Sequence, residues 1–142
     1  HVSMGANEAR HVLAMADDLG KVIALELLTA AQALDLRRDM INAARDLADR
    51  ADAGTLAAKV QGGPLPGTAG WDVFLAEVEA LRAELSAAEP FHPGPAVAAA
   101  HAVIREHVPF LQRDRALDID LKAIIALVRE GSVLAAARQA LG

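Results

Sequence analysis

The sequence predicts an all-α protein, a helical bundle built around one long central helix. Hydrophobic residues make up 54% of the chain and alanine supplies much of that share, which favours close-packed helices. Apolar residues recur at spacings of three and four, and no segment alternates with the two-residue period of a strand. A length of 142 residues suits one hydrophobic core, so we expect a single helical region over residues 1–142.

The first and longest helix is predicted from about Gly5 to Arg37. Its core face is formed by Val12, Met15, Leu19, Val22, Ile23, Leu27, Ala30 and Leu34. A second apolar stripe widens this face until few polar positions remain between Val22 and Leu34. A helix that is apolar nearly all round must be surrounded by other helices. Because the chain is short, we expect the partners of this helix to include other chains or further sequence. Within this stretch Glu26 is expected to form a buried or interface ion pair.

Residues 39–89 have a different character. Their first part carries a thin apolar stripe, and Arg45 and Asp49 are opposite charges four residues apart, which predicts a solvated peripheral helix. Residues 62–70 are dense in glycine and proline and are predicted to be a loop. A half-exposed amphipathic helix is predicted to begin at Trp71. We interpret residues 39–89 as a peripheral insertion.

Three helices are predicted in the last third of the chain. Pro95 is suited to the first position of a helix that runs to about His107. Asp118 is expected to cap the next helix, which Gly131 ends, and Ser132 is expected to cap a last short helix. The core positions predicted for the middle helix of the three are Leu121, Ile124, Ile125 and Val128.

Charge and composition weigh against several classes of partner. The net charge of −5 and the absence of a basic block argue against binding to nucleic acid or to an anionic membrane surface. The longest apolar run, residues 22–36, is interrupted by polar residues and is shorter than the roughly 20 apolar residues of a membrane span. The chain has no cysteine, which fits a reducing compartment, and we expect a cytoplasmic location.

The residue pattern alone predicts no catalytic, cofactor-binding or metal-binding residue. His101 and His107 are six residues apart and fall on different faces of their helix, so they do not have the spacing of metal ligands. None of the three serines lies in the context of a nucleophile. The carboxylate pairs have the spacing of solvated helix faces or helix caps.

Recognisable motifs nevertheless lie at both ends of the chain. The first is His-Val-Ser-Met-Gly at His1 to Gly5, continued by the helix sequence of residues 23–37. The second consists of residues 101–109, the pairs Asp114-Arg115 and Asp118-Ile119, and residues 127–131. Both resemble the C-terminal part of the histidine ammonia-lyase branch of the aromatic amino acid lyases. The histidine at position 1 distinguishes this branch from the phenylalanine and tyrosine lyases, which tend to differ there.

The resemblance implies a larger, all-helical lyase fold and a homotetramer whose active sites combine residues from several chains. It also implies elimination of ammonia from L-histidine to give urocanate, with a methylideneimidazolone electrophile made from an Ala-Ser-Gly triplet. This sequence contains no such triplet and no tyrosine, and the glutamate of the opening motif would precede His1. The chain is therefore expected to be a self-associating C-terminal fragment without catalytic residues. His1, Ser3 and Met4 are expected to neighbour the active site.

Two other interpretations remain open. The chain could be a stand-alone helical interaction module whose long apolar helix pairs with a partner. It could also belong to the same family and act on phenylalanine or tyrosine, although His1 weighs against this. An Ala-Ser-Gly triplet upstream would favour the lyase over the interaction module.

Overall fold

A computed structural model describes residues 4–142 and confirms the all-α fold. No strand occurs in this part of the chain. The helices are α1 (Met4–Arg50), α2 (Ala53–Ala57), α3 (Trp71–Ala87), α4 (Pro95–His107), α5 (Asp118–Glu130) and α6 (Ser132–Gln139). They fall into two compact units. Unit 1 contains His1–Leu36 and His92–Gly142, and unit 2 contains Arg37–Phe91.

Helix α1 is longer than the apolar pattern predicts. It continues past Arg37 to Arg50 without interruption, so the charged stretch is part of the same helix. The sequence explains this continuity, since no glycine or proline occurs between Lys21 and Arg50. The predicted pairing of charges four residues apart is present between Arg50 and Asp46, at 2.9 Å.

The core of unit 1 joins α1 to the three C-terminal helices. It consists of Ala24, Ala31, Ile104, Val108, Ile124, Leu127 and Val133. Leu27 packs against this core and is half-buried. Of the four core positions predicted for α5, Ile124 is fully buried and the other three are half-buried, while Leu127 takes the second buried position. The alanines of α1 allow close approach of the neighbouring helices, because they add no bulk at the contact.

Local sequence determines most helix ends in unit 1. Pro95 and His107 bound α4 as predicted, and Gly131 ends α5 in the left-handed conformation with φ of 73°. The two predicted caps are wrong. Asp118 and Ser132 are the first helical residues of α5 and α6, and neither helix has a side-chain capping hydrogen bond. Asp118 still lies in the first turn, where a carboxylate interacts favourably with the helix dipole.

Unit 2 is formed by the last part of α1 with α2 and α3. Its buried apolar residues are Ala48, Ala53 and Ala57. Asp52 caps α2 by accepting a hydrogen bond from the Thr55 backbone N–H at 2.9 Å and one from its hydroxyl at 2.6 Å. Helix α3 begins at Trp71, as predicted. The boundaries of unit 2 lie close to those of segment 39–89, whose interpretation as an insertion stays a prediction.

Arg82 and Phe74 hold α3 in unit 2, whereas Arg45 departs from its predicted role. Nη1 of Arg82 donates to the Ala48 carbonyl at 3.0 Å. The ring of Phe74 lies so close to Gly63 that a Cβ there would be 3.1 Å from it. Arg45 was predicted to be solvated and paired with Asp49, but it is half-buried and no described residue forms an ion pair with it.

Candidate functional site

A buried carboxylate in unit 1 joins α1 to α4. Asp35 accepts a hydrogen bond at Oδ2 from Nε of Arg105 at 2.6 Å. Nε2 of His101 lies 3.1 Å from Oδ1, close enough for an ion pair although its direction departs from that of a good hydrogen bond. The side chain of Asp35 is 6% exposed and that of Arg105 is 15% exposed. A carboxylate buried to this extent requires such partners, because an unpaired buried charge is costly.

The surroundings of Asp35 keep it ionised. Burial alone would raise the pKa of its carboxyl group, since it disfavours the charged form. The hydrogen bond and charge of Arg105, together with the close contact of His101, outweigh burial and hold the pKa of Asp35 below its usual value. Asp35 is therefore suited to hold two helices together and unsuited to accept a proton as a general base near neutral pH.

Gln32 fastens the segment after α4 onto α1. Its Nε2 donates to the Leu111 carbonyl at 3.1 Å, and its Oε1 accepts from the Leu111 backbone N–H at 3.0 Å. Arg105 supports the same segment by donating from Nη1 to the Val108 carbonyl at 3.0 Å. Both backbone groups of Leu111 are thus satisfied by one side chain, which fixes the path of an otherwise irregular segment.

Arg115 and Asp120 form a second ion pair close to this segment. Nε and Nη2 of Arg115 lie 3.1 Å and 2.8 Å from Oδ2 of Asp120. Nη2 also donates to the Pro109 carbonyl at 3.2 Å. The Asp120 side chain is 10% exposed, so the guanidinium compensates a buried charge and also ties the segment to α5.

A cavity of about 270 Å³ lies between α1 and the segment after α4. Its wall is mainly apolar, and Thr29, Gln32, Arg115 and Asp120 supply its charged or hydrogen-bonded groups. Each of these four side chains is already hydrogen-bonded within the protein. The arrangement therefore supports a fixed backbone path and offers no free acid, base or nucleophile.

The first part of α1 carries large apolar side chains that unit 1 leaves exposed. We define the α1 apolar surface as Val12, Leu13, Met15, Leu19, Val22, Ile23 and Leu25, all of them exposed. Leu13 is 71% exposed and Met15 is 70% exposed. Polar contacts beside this surface include those of Asp17, which pairs with Lys21 at 3.0 Å and with Arg129 of α5. Exposed large apolar side chains in such number are typical of a protein–protein contact.

Comparison with known proteins gives these features a family context. Residues 1–57 match the profile of the family described as "Aromatic amino acid lyase". Over 133 residues the chain is 30% identical to a "Histidine ammonia-lyase" of Anaeromyxobacter sp. (strain K), covering 94% of this chain and 16% of that protein. The chain is similar to the aromatic amino acid lyase family, and to histidine ammonia-lyases within it.

A second relative matches the whole chain. It is a "Histidine ammonia-lyase" of Sorangium cellulosum (strain So ce56), 28% identical over 142 residues, which are 100% of this chain and 18% of that protein. The chain therefore spans less than a fifth of the length of these relatives. No solved structure matches it at a significant level.

The similarity to this family directs attention to the opening motif, which contains the residues predicted to neighbour the active site. His1 and Ser3 lie outside the described residues. Met4 is the first residue of α1 and is 80% exposed, and it does not line the cavity beside Gln32. No helix of residues 4–142 has the length and hydropathy of a membrane span.

The two histidines of α4 have different surroundings. His101 is paired with Asp35, whereas His107 is exposed and its Nδ1 lies 3.0 Å from the Val103 carbonyl. Within the described part of the chain, no three His, Cys, Asp or Glu residues form a group that could hold a metal ion. Glu26 is exposed in this chain, so the buried ion pair expected for it is wrong, whereas an ion pair at an interface between chains stays a prediction.

Sequence reasoning missed Asp35 as the buried acid. The spacing of residues along α1 indicates that Asp35 is buried, because Asp35 follows Ala31 by four residues and Ala24 by eleven. These three positions fall on one helix stripe, and all three are buried. A charged residue on a stripe of small apolar residues indicates a buried ion pair, and Arg105 supplies the partner.

Proposed function

We propose that this chain is the C-terminal helical region of an ammonia-lyase that converts L-histidine to urocanate and ammonia. The observation that carries the proposal is the similarity to histidine ammonia-lyases over 94–100% of the chain. The opening His-Val-Ser-Met supports histidine over phenylalanine or tyrosine as the substrate. A role in histidine catabolism and a cytoplasmic location form part of the same proposal.

The electrophile that the family implies does not fit the residues of this chain. A methylideneimidazolone is formed from an Ala-Ser-Gly triplet, and the sequence has no such triplet and no tyrosine for acid–base work. The two buried carboxylates of unit 1, Asp35 and Asp120, are committed to structural ion pairs. We therefore assign no chemical step to this chain and propose that the catalytic groups lie upstream of His1.

The proposed contribution of the chain is structural. The pairs Asp35–Arg105 and Arg115–Asp120, with the Gln32 contacts, fix the C-terminal helices on α1. The α1 apolar surface remains available to other helices. Burial of this surface stabilises an assembly by about 25 cal/mol per Å² before the costs of association. We propose that it contributes to the contacts of a homotetramer.

An activity assay tests this proposal directly. L-Histidine is added to the purified 142-residue chain and to the same reading frame extended upstream, and urocanate is followed by its absorbance. We expect no turnover by the chain alone, because it lacks the electrophile, and clear turnover by the extended protein. A matched extended protein in which the serine of the Ala-Ser-Gly triplet is alanine should be inactive.

Other outcomes of the assay would change the proposal. Turnover by the 142-residue chain alone would contradict the argument from missing residues. An extended protein that converts phenylalanine or tyrosine in preference to histidine would change the substrate. An upstream sequence without Ala-Ser-Gly would favour a helical interaction module.

A further inference from the structure

An apolar stripe runs along α1 on the side that the core of unit 1 does not cover. Its members, at spacings of three or four residues, are Val12, Met15, Leu19, Ile23, Leu27, Ala30 and Leu34. Residues at these spacings lie on one face of a helix. The first four are exposed, and Leu27 and Leu34 are half-buried. The buried positions of this part of α1 belong to other residues, among them Ala24 and Ala31. The stripe is therefore left for a partner outside unit 1.

The second half of the stripe forms one side of an apolar groove in unit 1. The groove has two adjoining parts of about 250 Å³ and 440 Å³. The residues that line both parts are Leu27, Ala100 and Ala137. The groove is open, since Val97 on α4 is 47% exposed and Leu134 on α6 is 55% exposed. Of its lining residues in the described chain, His101 alone is titratable, and it is paired within unit 1. Such a lining suits the apolar face of a helix, because it has no free polar group to orient a small ligand.

The spacing of the stripe is nearly symmetric about Ile23, which belongs both to the α1 apolar surface and to the lining of the groove. Leu19 and Leu27 lie four residues to either side of it, and Val12 and Leu34 lie eleven residues to either side. Two copies of α1 in antiparallel orientation about a twofold axis at Ile23 therefore place the first half of each stripe on the second half of the other. A contact of this kind is isologous, because both copies use the same surface.

The antiparallel pairing joins residues that are complementary in size and charge. Met15 lies eight residues before Ile23 and faces Ala30, which lies seven residues after it. A long side chain opposite a small one allows the two helices to interdigitate. Glu8 and Arg37, both exposed, continue the stripe at its two ends by four and three residues. Antiparallel helices bring these opposite charges together at both ends, whereas parallel helices place like charges opposite each other.

We propose that two copies of this chain pair through antiparallel α1 helices, with the first half of each stripe seated in the unit 1 groove of the other copy. The contact extends over roughly 33 Å of helix, because an α-helix rises about 1.5 Å per residue. A second copy is a better occupant than a different protein, since this chain carries both surfaces and one symmetric contact covers both of them. The inference rests on the proposed role of the α1 apolar surface in subunit contacts, and it adds the partner surface and the orientation.

Cysteine cross-linking of the full chain tests this pairing, because the sequence has no cysteine of its own. The variants Ile23→Cys, Met15→Cys and Ala30→Cys change exposed positions. Each is oxidised in the folded state, and disulfide dimers are measured by non-reducing electrophoresis and mass spectrometry. We expect Ile23→Cys to form a dimer by itself. Ile119→Cys on α5 is the matched control for chance collisions, because Ile119 is 74% exposed and does not line the groove.

The other two variants distinguish the orientations. Met15→Cys and Ala30→Cys should each stay at the level of Ile119→Cys when tested alone, because each cysteine lies roughly 21–24 Å along the helix from its own symmetry mate. That separation is far beyond the reach of a disulfide. An equimolar mixture of the two should give at least about tenfold more dimer than either alone, since the pairing makes them neighbours. If circular dichroism shows that Ile23→Cys has lost helix content, the mixture carries the same test.

Three results would overturn the proposal. Met15→Cys and Ala30→Cys that cross-link alone as readily as Ile23→Cys would indicate parallel helices. A chain that assembles in sedimentation velocity, but whose variants cross-link no more than Ile119→Cys, would place the subunit contact elsewhere and leave self-association intact. A strictly monomeric chain would overturn both this pairing and the subunit-contact role. The urocanate assay of the extended protein is independent of all three, so it separates failure of the pairing from failure of the proposed lyase function.

Discussion

Units 1 and 2 are both helical, but they bury different kinds of side chain. Unit 1 buries five branched apolar residues, Ile104, Val108, Ile124, Leu127 and Val133, whereas the apolar residues that unit 2 buries are three alanines. Unit 1 also encloses the ion pairs of Asp35 and Asp120. The stability of unit 1 is therefore concentrated in a few large or charged side chains. That of unit 2 is spread over many half-buried ones, each of which contributes less.

The largest effect is expected at Ile124, which is 0% exposed. Ile124→Ala removes its transfer free energy and leaves a cavity, so the free energy of unfolding should fall by about 2–5 kcal/mol. Urea denaturation followed by circular dichroism measures the change. Ile119→Ala on the same helix is the control, because Ile119 is 74% exposed and its loss should change stability by less than about 0.5 kcal/mol. Equal losses in the two variants would contradict the assignment of the core.

A slightly smaller effect is expected from removal of the cation that neutralises Asp35. Arg105→Ala leaves the buried carboxylate with His101 as a remaining partner. We expect the free energy of unfolding to fall by about 3 kcal/mol, the low end of the range for a buried charge whose partner is removed. The same denaturation measurement applies. Arg129→Ala breaks the exposed pair with Asp17 and should have little effect. Equal losses of stability in the two variants would contradict the expectation that the buried pair stabilises the chain more than the exposed pair.

In unit 2 the ring of Phe74 on α3 should contribute less to the free energy of unfolding than Ile124 does in unit 1. Phe74 is half-buried, with its ring centre 6.3 Å from that of Trp71. We expect Phe74→Ala to cost about 1–2 kcal/mol, below the range for a fully buried phenylalanine. Trp71 is the only tryptophan of the chain, so its fluorescence reports unfolding of unit 2. A loss as large as that of Ile124→Ala would mean that unit 2 has a more concentrated core than its burial indicates.

The smallest effect concerns pH and tests the charge on Asp35. Its pKa is lowered in the folded chain, so its contribution to stability is present above the unfolded value near 3.8 and is lost as the pH falls through the lower folded pKa. Melting temperatures measured from about pH 5 to pH 2 should therefore decline. Asp35→Asn should show a shallower decline than the unaltered chain. Identical slopes would indicate that other carboxylates account for the acid sensitivity.

Local sequence predicted the start of α4 and the end of α5, because these two ends depend on neighbouring residues. The proline at position 95 and the glycine at position 131 act within one turn of themselves, and both assignments are confirmed. The buried polar site could not be predicted in the same way. Asp35 meets Arg105 across 70 positions, and Gln32 meets Leu111 across 79, so only the tertiary packing brings them together. The two predicted helix caps were wrong for a related reason, since the type of a side chain does not by itself determine the first residue of a helix.

Self-association is the most direct test of the claim that this chain supplies subunit contacts. Sedimentation velocity over a range of concentrations compares the unaltered chain with Leu19→Glu, which places a charge on the α1 apolar surface at a side chain that is 59% exposed. We expect the unaltered chain to assemble as its concentration rises and Leu19→Glu to shift toward the monomer with unchanged helix content. An unaltered chain that is folded and strictly monomeric at every concentration would contradict the account.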